Sequence, residues 1–320
     1  MTSTSPGLRA GAGPPSMSSA LSRLIGEVRA RVDARLPALV ALPAGLVPDA
    51  LDPLPAAARE ALTSPGKRVR PVLVFLAGEL FGAPRDRLLD PACAIEMVHA
   101  ASLALDDLPS MDDATTRRGR PALHVAHGED MAILAAVTLL TRAFGVLAES
   151  GLEAERSGSS RVPALSALDL VWRLAEASGL AGLASGQSLD LRTPESAATF
   201  DRLETIHARK TGALFVASAE VGAVLGGARE RELAAVRSYA KNVGLAFQIV
   251  DDLLEQDPHA ETGKQARRSP APTFARHVGR EGARRLVDEL TRHAVEVLGG
   301  FGKKAALLAD FAFLLRDRTS

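Results

Sequence analysis

Apolar residues recur at helical spacing along almost the whole chain, beginning after an N-terminal stretch of small and polar residues. The strict alternation of apolar and polar residues that is typical of strands is missing, and alanine and leucine outnumber the β-branched residues. The clearest amphipathic stripe consists of Ala283, Leu286, Val287, Leu290, Ala294, Val297 and Leu298. The pattern therefore predicts an all-α protein.

Breaks that contain proline or glycine divide this pattern into roughly ten helices. They lie near residues 53–55, 64–66, 82–84, 119–121, 158–163, 193–194, 226–227, 263–272 and 299–300. Only residues 156–163 resemble an interdomain linker, and the sequence shows no internal repeat. We predict a single bundle-like domain over residues 19–320, preceded by a disordered tail over residues 1–18.

Composition and charge exclude some classes of function and indicate the cellular compartment of the protein. Lys and Arg number 38 and Asp and Glu number 38, so no basic field attracts nucleic acid. The single cysteine, Cys93, rules out a disulfide framework and fits a reducing cytoplasm. The apolar runs 131–140 and 212–227 are too short or too interrupted for a membrane span of roughly 18 residues. We expect a cytoplasmic protein with no membrane span.

Two acidic clusters follow apolar helical runs. The first consists of Asp106, Asp107, Asp112 and Asp113. Its carboxylates would repel one another unless a cation lies among them, and Pro109 should bend the segment and bring Asp112 back towards Asp106. The second cluster consists of Asp251, Asp252 and Glu255, which follow the run 243–250. On a helix, the first and last of these share a face.

Either cluster alone is equally well explained as a solvated helix end or as carboxylates paired with nearby arginines. Two aspartate pairs in apolar helices are harder to explain in this way, because a buried carboxylate is costly unless it is compensated. Carboxylates without other types of metal ligand suit Mg²⁺, which commonly binds one or two carboxylates together with water and phosphate oxygens. The two clusters together therefore favour a magnesium site.

Three short basic segments accompany the acidic clusters, at residues 66–71, 117–120 and 209–210, and residues 209–212 interrupt a helical pattern. The first precedes an apolar helix for which Pro71 suits the first turn, and cations at a helix N-terminus form an anion site. Each segment alone is more simply a solvated run of charge. Together with the acidic clusters, they predict a pocket for a metal-bound polyanion whose remaining part is apolar. A glycine-rich nucleotide loop is absent from the sequence.

Six stretches now combine into a family pattern: GKRVRP (66–71), EMVHAASLALDDLPSMDD (96–113), RRGRPALH (117–124), GQSLDL (186–191), KTG (210–212) and FQIVDDLLE (247–255). In this order they resemble the trans-prenyl diphosphate synthase family, most closely its bacterial geranylgeranyl diphosphate synthases. The likeness extends from about Leu21 to Arg318. It implies an isoprenoid synthase bundle around a central apolar cavity, a homodimer, and a place in terpenoid or carotenoid supply.

The resemblance also implies the roles of individual residues. Isopentenyl diphosphate would be held by Lys67, Arg70, His99 and Arg118. Mg²⁺ ions, as many as three in the family, would be bound by Asp106, Asp107, Asp112, Asp251, Asp252 and Glu255. The allylic diphosphate would be assisted by Arg117, Lys210 and Lys264. The allylic carbocation would lie near the backbone carbonyl of Lys210 and the side chains of Thr211 and Gln248.

The implied reaction is condensation of isopentenyl diphosphate with dimethylallyl, geranyl or farnesyl diphosphate. Metal ions and cations stabilise the departing diphosphate, the isopentenyl double bond attacks the carbocation, and a proton is lost. Ala101 lies five residues before Asp106, about 7.5 Å along a helix, where an aromatic residue in the family stops growth at fifteen carbons. Ala101 and Ser102 leave room for the twenty-carbon geranylgeranyl product.

The sequence departs from the family pattern at two places, and other functions remain open. Glu255 stands where the family usually has Asp, and after Lys264 only Arg267 or Arg268 could replace a second lysine. A farnesyl diphosphate synthase would share the same motifs. A class I terpene cyclase would not need the isopentenyl site at Lys67, Arg70 and His99. A non-catalytic subunit would tolerate loss of the aspartates, which are present in the first cluster.

Overall fold

The computed structural model describes residues 18–42, 45–46, 49, 51–156, 167–255, 265–266 and 273–318. Thirteen α-helices lie within these residues, which confirms the all-α prediction. In chain order they are α1 Ser19–Leu39, α2 Leu54–Thr63, α3 Val69–Leu80, α4 Arg85–Asp106, α5 Leu123–His127, α6 Glu129–Arg156, α7 Ala167–Ser178, α8 Leu183–Arg192, α9 Phe200–His207, α10 Ala213–Leu225, α11 Glu230–Glu255, α12 Phe274–Val297 and α13 Ala306–Arg316. The division into a tail and one domain remains a prediction.

The helices pack around a core to which α1, α3, α4, α6, α10 and α11 all contribute. α4 packs against α3 and α6, and α10 packs against α3 and α11. The core includes large, fully buried side chains such as Phe75, Ile95, Phe215 and Tyr239. α3, α4, α10 and α11 also carry most of the motif residues, so the packing of the core determines where those residues meet.

Glycine allows α3 and α10 to approach closely. A Cβ atom added at Gly222 of α10 would lie 2.1 Å from the carbonyl oxygen of Val74 in α3. Backbones at this separation leave no room for a side chain between them, so even alanine would force the two helices apart. The spacing of the helices that flank the site therefore depends on the absence of a side chain at this position.

A small sheet, which the hydrophobic pattern did not predict, joins the segments that follow the two acidic clusters. Its strands are β1 Ala114–Arg117, β2 Arg120–Pro121 and β3 Gln265–Ala266, in the order β2-β1-β3. β1 begins after the first acidic cluster, and β3 comes ten residues after α11 ends at Glu255. Antiparallel pairing of Ala114 with Ala266 therefore ties the two regions together.

Two of the helices are long and apolar enough to cross a membrane by length and composition alone, Arg85–Asp106 and the Glu129–Leu152 part of α6. The apolar window of the first is 67% buried inside the fold, which accounts for its composition. The window in α6 is only 39% buried. α6 is longer than the run 131–140 considered in the sequence, and it leaves apolar surface exposed.

Candidate active site

The first acidic cluster bends as the sequence predicts. α4 ends at Asp106, and the chain then turns so that the backbone N–H of Asp112 donates to the carbonyl oxygen of Asp106 at 3.0 Å. Asp113 completes the turn with φ of 49°. The loop thus returns Asp112 to the end of the helix, beside Asp106.

Asp107 differs from its neighbours because it is buried and doubly paired. Its two carboxylate oxygens accept hydrogen bonds of 2.7 and 2.6 Å from Nε and Nη2 of Arg117. Burial opposes the charge on Arg117, but the hydrogen bonds and the charge of Asp107 outweigh it and raise the pKa of Arg117. A bidentate pair of this kind holds β1 against the end of α4.

Lys210 connects the first acidic cluster with α8. Its Nζ donates to Oδ2 of Asp190 at 2.6 Å, in the motif GQSLDL. Burial acts against the charge of Lys210, but the nearby carboxylates of Asp106, Asp190 and Asp112 outweigh it and raise the pKa of the amine. Lys210 is therefore a fully charged cation shared between α8 and the first acidic cluster.

The motif KTG lies in a π-helix, Ala208–Gly212, between α9 and α10. This single π turn explains the interrupted pattern in the sequence, and such turns are frequent at functional sites. Oγ1 of Thr211 donates to Oε1 of Gln248 at 2.7 Å, and Nε2 of Gln248 donates to Oδ1 of Asp252 at 3.0 Å. Through these bonds the π-helix is linked to the second acidic cluster, so both clusters meet the same turn.

His207, immediately before the π-helix, was not identified from the sequence. Its ring is buried against Phe274, with the ring centroids 5.3 Å apart. Nε2 lies 3.9 Å from Oδ2 of Asp252, beyond hydrogen-bond distance. Burial lowers the pKa of His207 to about 4, so the imidazole is neutral at pH 7. A neutral ring supports the acidic cluster without supplying a competing positive charge.

The predicted isopentenyl site contains several cations with few carboxylates. Arg70 is buried, and burial lowers its pKa to about 10, with repulsion from Arg118 adding to the effect. The pKa of His99 is held well below its usual range by burial and then by the charges of Arg70 and Arg118. Burial and repulsion from Arg118 also lower the pKa of Lys67. This excess of positive charge is what a diphosphate would neutralise.

Arg68, in the same motif, has a structural partner. It pairs with Glu96 and with Asp33, each at 2.7 Å, and its side chain is almost completely buried. Arg68, Asp113 and Arg118 adopt φ of 52°, 49° and 53°, a left-handed conformation that costs about 1 kcal/mol or more outside glycine. All three lie in motifs of the candidate site, where such strain commonly positions side chains.

Several predicted residues lie outside the described part of the chain. Lys264, Arg267 and Arg268 are among them, and the side chain of Glu255 is not described. Within the described residues, no three acidic, histidine or cysteine side chains converge on one point as a ready-made metal cage. Mg²⁺ usually takes only one or two carboxylates, together with phosphate oxygens and water. The carboxylates of the two clusters therefore fit Mg²⁺ sites that the diphosphate itself completes.

A family model described as polyprenyl synthetase matches residues 52–268 of the chain. The match spans every motif of the site. The chain therefore belongs to the polyprenyl synthetase family. This confirms the resemblance to the trans-prenyl diphosphate synthases, a family that binds diphosphate through divalent metal.

Relatives in the family agree in sequence and in structure. Geranylgeranyl pyrophosphate synthase 9, chloroplastic, of Arabidopsis thaliana is 40% identical over 272 residues, 82% of this chain and 73% of the relative. Geranylgeranyl pyrophosphate synthase 11, chloroplastic, of the same plant is 41% identical over 274 residues, 82% of this chain and 74% of the relative. The crystal structure of an FPP/GFPP synthase from Zymomonas mobilis has a TM-score of 0.79 and 31% identity, covering 92% of this chain and 99% of that one.

Within this polyprenyl synthetase, the described residues bring together most of the residues proposed from the sequence. Asp106, Asp112 and Lys210 are mutual neighbours, and Thr211, Gln248 and Asp252 form a hydrogen-bonded row. Sequence reasoning did not assign Asp190, His207 or Arg318. The motif GQSLDL was a signal for Asp190, but no pattern in the sequence showed which cation it pairs with.

Gly186, at the start of that motif, allows α8 to reach the π-helix. A Cβ atom at Gly186 would lie 2.2 Å from the backbone nitrogen of Lys210 and 2.6 Å from its Cα. Asp190 follows four residues later on the same face of α8, where it meets Nζ of Lys210. The absence of a side chain at position 186 therefore positions the Lys210–Asp190 pair.

We expect Gly186→Ala to push α8 away from the π-helix, since the clash is with backbone. Turnover of the purified variant should fall roughly 100-fold, the size of a small misplacement of catalytic groups, while the helical circular dichroism is retained. Gly26→Ala is the matched control, because no atom lies within 4 Å of a Cβ at that position in α1. Normal turnover of Gly186→Ala would contradict this role for the close approach.

Proposed function

We propose that the protein is a Mg²⁺-dependent prenyltransferase that condenses isopentenyl diphosphate with allylic diphosphates to make geranylgeranyl diphosphate. The observation that carries the proposal is the meeting of both acidic clusters at the π-helix, with the surplus of cations nearby. Asp106 and Asp112 adjoin Lys210, and Thr211 leads through Gln248 to Asp252. The names of the plant relatives support the geranylgeranyl product.

The residues of the site form two regions, and each region binds one of the two diphosphates. Asp106, Asp112, Asp251 and Asp252 would hold Mg²⁺, which neutralises the charge that develops on the departing allylic diphosphate. Lys210 supplies a fixed positive charge on the same side. The buried pair of Asp107 with Arg117 keeps the loop of the first cluster in place, with both oxygens of Asp107 engaged by the guanidinium.

The second diphosphate is recognised by a group of neighbouring cations that repel one another. Arg70, Lys67 and Arg118 hold the diphosphate of isopentenyl diphosphate, and the neutral His99 donates a hydrogen bond to it. Nη1 of Arg118 donates to the carbonyl oxygen of Pro65, which fixes the guanidinium beside the motif GKRVRP. The oxygens of Thr211 and Gln248, with the backbone carbonyl of Lys210, stabilise the allylic carbocation and exclude water from it.

A terpene cyclase is the less favoured function, because it acts on one diphosphate and has no use for a second cationic region. The burial of Arg70, and the burial and neighbouring cations that lower the pKa of His99, support a second cationic region in this protein. A farnesyl diphosphate synthase remains the alternative that product analysis separates, since the solved relative from Zymomonas mobilis is titled an FPP/GFPP synthase.

The apolar surface left on α6 and α7 supports a homodimer. Its residues are 43–75% exposed to solvent and lie on two helices that pack together: Ile133, Leu134, Val137, Leu152, Leu168 and Trp172. Large apolar side chains exposed on neighbouring helices support an association site. An apolar surface suits a second copy of the same surface, because apolar residues complement each other across a two-fold axis.

Incubation with isopentenyl diphosphate, each allylic primer and Mg²⁺, followed by sizing of the product, tests the function directly. We expect elongation to twenty carbons, abolished by a metal chelator and restored by added Mg²⁺. Asp106→Asn should lower turnover roughly 100-fold or more, because it removes a carboxylate that would hold the Mg²⁺ that neutralises the departing diphosphate. Asp86→Asn is the control, since its exposed carboxylate at the other end of α4 pairs with Arg31 and has no proposed role in the site. Absence of elongation by the unmodified protein would contradict the proposed function.

Product length is tested at Ala101 and Ser102, which lie five and four residues before Asp106. Ser102 lies one helical turn from Asp106 on the same face and is partly exposed, whereas Ala101 is fully buried. We expect Ser102→Phe to shift the product from twenty to fifteen carbons. Ala101→Phe should shorten the product too, but with a loss of about 1–3 kcal/mol of stability from overpacking. Ser102→Ala is the control. An unchanged product from Ser102→Phe would contradict the role of this position in limiting chain length.

The dimer is tested by mass in solution. Light scattering after gel filtration should give twice the chain mass of 33.5 kDa. Val137→Glu places a charge in the apolar surface and should shift the protein to a monomer, while Leu51→Glu, at an exposed apolar residue outside the surface, should leave the dimer intact. A monomeric unmodified protein would show that the surface has another occupant.

A further inference from the structure

Arg318, two residues after the end of α13, reaches into the second acidic cluster. Its Nη2 lies 2.6 Å from Oδ1 of Asp251 and donates to the backbone carbonyl oxygen of Phe247 at 2.7 Å. The side chain is only 11% exposed, although it lies near the end of the described chain. The carboxylate proposed to hold Mg²⁺ therefore already has a cation bound to it.

Arg318 and Arg70 lie at opposite ends of one stack of rings. The guanidinium of Arg318 lies 3.8 Å from the ring centroid of Phe247, which is 5.1 Å from the ring centroid of Phe215. The guanidinium of Arg70 lies 5.1 Å from the other ring, that of Phe215. Stacking on aromatic rings holds a guanidinium in place without neutralising it, so both keep donors for an anion.

Both guanidinium groups have a donor without a partner. Nε of Arg70 and Nε of Arg318 are buried, and neither has a hydrogen-bond partner among the described residues. Buried donors are rarely left without an acceptor, and the cost is largest for charged groups. Repulsion from Arg318 also lowers the pKa values of Arg70 and Lys67, which places all three cations in one electrostatic neighbourhood. Asp251 is bound to Arg318 in this neighbourhood, yet the Nε donors of Arg70 and Arg318 still lack an acceptor.

We propose that Arg318 belongs to both subsites: it occupies Asp251 before metal binds, and it turns to the diphosphate of isopentenyl diphosphate when Mg²⁺ takes Asp251. This inference rests on the function proposed above. Mg²⁺ binds carboxylate oxygen at about 2.0–2.1 Å, so a metal at Asp251 would lie against the guanidinium of Arg318, repel it and compete with it for Oδ1. Phe247 can retain Arg318 throughout, because its ring and carbonyl contacts do not involve the carboxylate.

The exchange makes metal and diphosphate binding mutually favourable. Metal bound at Asp251 releases Arg318 for the diphosphate, and diphosphate bound to Arg318 releases Asp251 for the metal. By thermodynamic linkage, each ligand then raises the affinity of the other by the same factor, typically 5-fold or more. Arg318 is thus a positioning residue that couples the two subsites and keeps the ligand-free site neutral.

Calorimetric titration of the full chain with Arg318→Met tests the exchange, since methionine keeps the contact with Phe247 but lacks the charge. We expect Mg²⁺ to bind the ligand-free variant about 5-fold more tightly than the unmodified protein, because nothing competes for Asp251. Isopentenyl diphosphate should bind the variant more weakly, and saturating Mg²⁺ should improve its binding less than in the unmodified protein. These opposite signs separate the exchange from a structural role, which would weaken both.

Arg316→Met is the matched control, since Arg316 pairs with Asp317 and Asp288 on the same segment, and it should leave both titrations unchanged. Arg318→Lys, which keeps the charge, should restore part of the competition with Mg²⁺ and serves if the methionine variant folds poorly. Unchanged or weaker Mg²⁺ binding in Arg318→Met, or no Mg²⁺ response in either protein, would overturn the inference. If the unmodified protein fails to bind isopentenyl diphosphate, the proposed function fails, while the Mg²⁺ titration still decides the competition at Asp251.

Discussion

The need to neutralise buried carboxylates determines the arrangement of this site. Asp107 is paired with Arg117, Asp190 with Lys210, and Asp251 with Arg318, each at about 2.6 Å between the closest atoms. Each pair joins two different elements of the fold. Because an uncompensated buried charge costs several kcal/mol, these pairs also fix how the elements lie against one another.

The three pairs differ in how they relate to the bound metal. Arg117 engages both oxygens of the most buried carboxylate, so that pair stabilises the loop whether or not ligands are bound. Lys210 meets the carboxylates of the first cluster as well as Asp190, so its charge serves the diphosphate directly. Arg318 lies on the oxygen that Mg²⁺ would take, and it is therefore the cation whose place changes. The same need for charge neutralisation is thus met in three ways. Arg117 stabilises the fold, Lys210 binds the ligand, and Arg318 exchanges with the metal.

The π-helix between α9 and α10 is the point where packing and chemistry meet. A π turn widens the helix, so Lys210 and Thr211 lie on a turn whose backbone is displaced from the regular path. Gly186 allows α8 to pack directly against this turn, and Gln248 ties it to α11. We therefore expect a small shift of the π-helix to move residues of both acidic clusters. The contacts of Gly186 and Gln248 that hold this turn in place are uncharged.

The sequence by itself determined the all-α class, the approximate helices, the two acidic clusters and the family, because helical periodicity and short motifs are local signals. It also predicted the bend at Pro109 and the break at KTG. The pairing of Asp190 with Lys210, the burial of His207 and the insertion of Arg318 were decided only by the tertiary structure. These contacts join residues that are 20 to 71 positions apart in the chain, and local pattern carries no information about which surfaces will meet. The small sheet could not be predicted from the sequence either. Strands of two to four residues are stabilised by pairing with their neighbours and show no recognisable alternating pattern of their own.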